Sequence, residues 1–307
     1  MVIGICPTVD FAFKCLFGSP EHVAVTKHFL NSVLVGGPRI TRVEFRHPFL
    51  EKTATDDKLA LLDILATDEH SRRLNIEMQT TLPVGMSKRL AYYASRLYYD
   101  QLLEGEQYVD LCPAISICVL TKSLFPASPE LHLDFRLRAP TGQLLTNDLQ
   151  IHLLELPKLR VTAENVYRAS PIEQWAFFML NAQYLTPRDV ARLFPDHEFS
   201  EAAGILQMIA RTPEQQALYD ARLKFQRDEA AKLEGARLEG REEAREEGRV
   251  EGKKEGLRKG ELLGRVLLLR ELLNLTTPTH TELVDLSESE LSAMADDLQS
   301  RLRHRGQ

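Results

Sequence analysis

Two carboxylates and an amide stand close together in a stretch that is otherwise apolar and β-rich. Asp63 lies in the run 58–67, Glu77 and Gln79 in the run 72–80, and Asp68, Glu69, His70 and Ser71 separate the two. Two such runs on a short polar turn read as a β-hairpin. If residue i pairs with residue 140 − i, Asp63 faces Glu77 with Cβ atoms roughly 5 Å apart. Gln79, two residues on, points the same way. Facing carboxylates repel unless a proton or a cation sits between them, and a hard divalent ion such as Mg²⁺ suits oxygen ligands. A pairing one residue out sends the two acids to opposite faces and leaves one of them merely solvated. Spacing alone leaves both readings open.

The order Leu62-Asp63-Ile64, turn, Ile76-Glu77-Met78-Gln79 resembles the D…E-x-K core of the PD-(D/E)XK nuclease superfamily, with glutamine in the lysine slot. Upstream, Asp10-Phe11-Ala12-Phe13-Lys14-Cys15-Leu16-Phe17-Gly18, and downstream, Arg89-Leu90-Ala91-Tyr92-Tyr93, are similar to the Rpn family of recombination-promoting nucleases, also described as transposases of the PD-(D/E)XK group. The resemblance covers the first half to two thirds of the chain. It implies a metal-dependent endonuclease that acts on double-stranded DNA, with a link to recombination or mobile elements. Asp63 and Glu77 would then be the metal ligands for Mg²⁺ or another divalent cation, and Asp63, Glu77 and Gln79 the catalytic set. Asp10 would be an auxiliary acid, with capping of the first helix as its plainer role. Arg89, and Lys88 beside it, would meet DNA phosphates, or Arg89 would serve as an ordinary ion-pair partner. Gln79 departs from the family pattern: an amide neither accepts a proton nor carries charge, so it can only orient a water or a phosphate oxygen.

The surrounding elements follow from periodicity. Residues 10–17 and 21–33 carry helix-spaced apolar side chains, broken at Gly18-Ser19-Pro20. Residues 40–45 alternate as a strand. Residues 86–103 form a tyrosine-rich helix with Leu90, Tyr93, Leu97 and Tyr98 at core spacing. Residues 113–120 are nearly all apolar, as in a strand covered on both faces, and 131–137 and 150–156 extend the sheet. The order predicts a three-layer α/β nuclease-like core with a mixed sheet, followed by an all-helical C-terminal extension. Helices are expected over 171–180, where Trp175 reads as a packing anchor, and over 187–193 and 200–209. The divisions expected are 1–165 for the nuclease-like domain, 166–212 for a helical extension, 213–270 for a charged Gly-periodic helix or linker, and 271–307 for a small helical module.

Within 213–270, Gly240, Ala244, Gly248, Gly252, Gly256, Gly260 and Gly264 recur every fourth residue among Glu, Arg and Lys. On a helix this makes one drifting stripe of small residues. It reads either as a surface for close helix approach, making a homo-oligomer through the C-terminal helices, or as a solvated linker. The tail beyond it pairs with a copy of itself or docks on the nuclease domain.

Composition bounds the remainder. The chain has 307 residues, 44% hydrophobic and 27% charged, with a net charge of −6. Up to Glu130 there are 13 Lys plus Arg against 15 Asp plus Glu, which counts against strong nonspecific DNA affinity. Clustering of Arg39, Arg42, Arg46, Lys88, Arg89 and Arg96 would still make a local basic groove. No run is long and apolar enough to span a bilayer, and the first residues lack a signal-peptide pattern, so a cytoplasmic protein without a membrane partner is expected. The four cysteines show no C-x-x-C spacing and read as buried thiols. Serine hydrolase, P-loop and zinc-protease motifs are absent. Spacing leaves a glycosidase carboxylate pair open, but no aromatic cluster for a sugar surrounds it. The competing reading is a weak or inactive DNA- or partner-binding scaffold of the same fold, which the acidic balance and Gln79 favour.

Overall fold

The computed structural model describes residues 1–46, 64–102, 105–276, 283 and 285–304. The chain divides into two compact units, Met1–Lys232 and Leu233–Gln307.

In the first unit, helices α1 (Asp10–Phe17) and α2 (Val23–Val33) precede three strands, β1 (Val43–Arg46), β2 (Ile64–Asp68) and β3 (Arg73–Gln79). Helix α3 (Met86–Tyr99) leads to β4 (Ala114–Leu120), β5 (His132–Arg136) and β6 (Leu149–Glu155). Helices α4 (Pro171–Asn181), α5 (Pro187–Leu193) and α6 (His197–Arg211) follow, then the long α7 (Pro213–Leu272). The strands form one mixed sheet in the order β1-β2-β3-β4-β6-β5. The central pairs β3–β4 and β4–β6 are parallel and the outer pairs antiparallel. The three-layer α/β expectation is met.

The hairpin closes for local reasons. The Asp68 carboxylate accepts from the backbone N–H of His70 (2.9 Å) and Arg72 (3.0 Å), a side-chain turn of the kind that suits aspartate, and Ser71 takes a positive φ of 60°. Glu69 then accepts from the backbone N–H of Thr41 (2.6 Å) and Arg42 (3.2 Å), which fastens the approach to β1.

Alternation decides the layers. Leu74, Ile76 and Met78 of β3, with Ile115, Ile117 and Val119 of β4, enter the principal core with Phe13, Phe17, Phe29 and Trp175. The opposite face is covered by α3: Leu90 packs with Cys118 and Leu153, and Leu97 with Leu65 and Ala114. All seven residues of β4 are buried, as its unbroken apolar run expects. Helix α3 ends at Tyr99, short of 103, because Asp100 caps the turn and binds Arg96 (2.8 Å). The segment 166–212 contributes Trp175, Phe178 and Phe199 to the principal core.

In the second unit the end of α7 packs against α8 (Glu288–His304) through Val266, Leu269, Leu291 and Leu298. Residues 233–260 are helical, and a Cβ added at any glycine from Gly240 to Gly264 would meet nothing within 4 Å. The cysteines are all free but only Cys118 is buried; Cys6, Cys15 and Cys112 are half-exposed. No described helix is long and apolar enough to cross a membrane.

Edge strand β5 is joined to β6 by a histidine pair. His132 Nε2 and His152 Nδ1 lie 3.0 Å apart with stacked rings, and Asp134, Arg136 and Gln150 surround His152. Burial pushes His152 down to about 4 and also lowers His132. The unfolded chain, with histidines near 6.5, therefore binds protons that the folded state refuses. Unfolding free energy should fall by up to about 3 kcal/mol as pH drops from about 6.5 to about 4. Denaturant titrations across that window check it, and His152→Phe should flatten the slope.

Candidate active site

Strand β3 carries polar residues at every second position. Glu77 pairs with Cys118 of β4 and Asn75 with Ser116, so Arg73, Asn75, Glu77 and Gln79 all project to the face that α3 covers. Glu77 is 2% exposed and Asn75 1%, while Gln79, at the strand end, is half-exposed. Sequence reading finds Glu77 and Gln79 and passes over Asn75 and Arg73. The signal for them is present, since both stand an even number of residues from Glu77.

The hairpin register is the one expected. Ile64↔Ile76, Leu65↔Asn75, Ala66↔Leu74 and Thr67↔Arg73 each obey the sum of 140. Asp63 lies outside the described residues, as does the rest of 47–63.

Asn75 donates to Ser116 Oγ (3.3 Å), and its Oδ1 is buried with no hydrogen-bond partner among the described residues. On α3, the Arg89 guanidinium lies 5.3 Å from the centroid of the Tyr93 ring, and its Nε is likewise buried without such a partner. Lys88 is exposed. Glu77, Gln79 and Arg89 thus belong to one layer.

Asp10 belongs to the other. It is the first residue of α1, whose Phe13 and Phe17 pack on the opposite face of the sheet, and it pairs with Lys14 (2.9 Å) and Arg222 (3.8 Å). The cap position is taken by Val9, which has no capping side chain, so Asp10 stands one residue inside the cap and does not fill it. The expected basic groove is also thinned, because Arg42 pairs with Glu44 and Arg96 with Asp100.

A family model described as PD-(D/E)XK nuclease family transposase matches residues 7–236. The chain belongs to this family. No curated protein and no solved structure gives a significant match. Glu77 and Gln79 present a carboxylate and an amide oxygen from one face of the second hairpin strand. Their oxygen chemistry suits a hard cation. Among the described residues no group of three or more His, Cys, Asp or Glu side chains gathers as a ligand set, so Glu77 is the one carboxylate this part of the chain offers on that face of β3.

A buried orphan acceptor two residues from a buried carboxylate leaves no room for a second negative charge. Asn75→Asp should lower stability at pH 7 by about 1–3 kcal/mol or more, the cost of an unsatisfied buried polar group and higher for a charged one. The loss should shrink toward pH 4 as the new carboxyl protonates. Chemical denaturation at the two pH values measures both.

Proposed function

We propose that this PD-(D/E)XK family protein is a metal-dependent endonuclease that hydrolyses phosphodiester bonds of double-stranded DNA, in recombination or the movement of genetic elements. The observation that carries it is Glu77, buried beside the half-exposed Gln79 on the α3-covered face of β3, in a hairpin whose described pairs keep the register expected from the sequence. Asp63 and Glu77 would hold Mg²⁺ or a similar ion, with the main-chain carbonyl of Met78 as a further oxygen ligand. A bound divalent ion supplies Lewis acidity and lowers the pKa of a coordinated water.

The chain's own groups divide the remaining work. Gln79, half-exposed at the strand end, orients the attacking water or a phosphate oxygen by hydrogen bonds and takes no proton. Arg89 and Lys88 meet backbone phosphates from α3. With no lysine in the E-x-K slot, proton removal falls to solvent, and turnover is slow. Self-association through the C-terminal helices would bring two such sites to one duplex.

Plasmid nicking in Mg²⁺ should disappear with chelator and with Asp63→Ala or Glu77→Ala, while circular dichroism stays native. Nicking that both variants retain would refute the assignment. The amide gives a second handle: Gln79→Lys restores the family side chain at a half-exposed position and should raise the nicking rate by about 100-fold, the lower end for a positioned acid–base group. The same Gln79 also supports a competing reading, a scaffold of the same fold that binds DNA without cutting it. Calorimetric titration of Mg²⁺ into wild type and Asp63→Asn separates the two, since the scaffold reading expects no metal heat in either.

A further inference from the structure

Four residues before Glu77, on the same face of β3, stands Arg73. It pairs with Thr67 of β2, and Thr67 Oγ1 accepts a 2.7 Å hydrogen bond from Arg46 Nε of β1. Arg46 itself pairs with Leu65, which packs under α3 with Leu97, so both guanidinium groups stand on the sheet face that carries Glu77. Like charges on nearby strands repel, and among the described residues neither arginine forms an ion pair. The carboxylate opposite Thr67, Glu44, is taken up by Arg42. Burial, and then the field of Arg46, lower the pKa of Arg73, a sign of the same unrelieved repulsion. Arg46 is exposed and Arg73 half-buried, so the pair can be reached from solvent.

We infer that Arg46, Arg73 and Thr67 form a phosphate site, holding one backbone phosphate of the duplex whose scissile bond lies at Glu77. Two guanidinium groups and a hydroxyl from three adjacent strands match the oxygens of a phosphodiester, and charge-assisted bonds from arginine are the strong kind. A bound phosphate would turn the arginine–arginine repulsion into a bridge. The site lies about 13 Å along β3 from Glu77, at 3.3 Å per residue, at the opposite end of the strand from Gln79. The inference rests on the nuclease reading for its ligand.

The test is duplex binding by the full chain in chelator, where nothing is cut, across a salt series. The double variant Arg46→Gln, Arg73→Gln should bind about 10- to 100-fold more weakly, as loss of charged hydrogen bonds predicts. Because both arginines hold one phosphate, the slope of log affinity against log salt should fall by about 0.9, the value for a single contact. Arg46→Lys with Arg73→Lys should keep the slope but lose part of the affinity, and thermal melts establish that each variant folds. An unchanged slope and affinity in the double glutamine variant overturn this site and leave the nuclease reading standing. Wild type that binds no duplex overturns the site, while chelator-sensitive nicking still tests the nuclease reading by itself.

Discussion

Strand β3 is covered on both faces, yet one of those faces is polar from end to end. Its neighbours β2 and β4 bury both sides too, and α3 closes the layer over them with Leu90 and Leu97. A strand so placed would be most stable if wholly apolar, as β4 nearly is. Arg73, Asn75, Glu77 and Gln79 instead carry charge and amide groups into a space of low polarity, where an unmatched donor or acceptor costs about 1–3 kcal/mol. Asn75 Oδ1 and Arg89 Nε, both lacking hydrogen-bond partners among the described residues, are where that cost is visible. Local disagreement between burial and polarity is the mark of a site, because stability there is given up for chemistry.

The opposite face of the sheet supplies the compensation. Phe13, Phe17, Phe29, Trp175, Phe178 and Phe199 are all fully buried, and their rings meet at 4.5–5.9 Å in tilted and edge-on contacts. Aromatic burial of this kind dominates core energetics. Trp175 also donates to His28 Nδ1 (2.9 Å), and His28 Nε2 reaches Asp196 (3.2 Å), so the indole N–H of α4 is satisfied through α2 to the start of α6. The helices after the sheet are thereby part of what lets the hairpin hold its polar stripe.

This division explains what could be read from the chain. The hairpin was legible because Asp68 and Ser71 make a turn by local chemistry, and the apolar alternation on both sides fixes register. Glu77 and Gln79 were legible through the same alternation. Three features were not. The pairing of Arg46 with Thr67 and Arg73 joins three strands, and no spacing within one strand announces it. The fate of Asp10 depends on Arg222, more than two hundred residues away. The pairing of Arg42 with Glu44 and of Arg96 with Asp100 involves carboxylates that a composition count treats only as a total.

The long helix α7 shows the limit of local reasoning from the other side. Each glycine inside it costs roughly 0.8–1 kcal/mol against alanine, and surface pairs such as Glu229–Lys232 and Glu246–Arg249 return only a few tenths each. Those terms do not close, so the helix cannot owe its continuity to its own sequence between 233 and 260. It is held instead at its two ends: the backbone N–H of Cys6 donates to the Tyr219 hydroxyl oxygen at 3.0 Å, while Val266 and Leu269 pack on α8. A helix pinned at both ends by tertiary contacts and weak between them opens most cheaply in its middle. The glycine-periodic stretch is therefore where a second surface, if it covers the open side of those glycines, would contribute most to order.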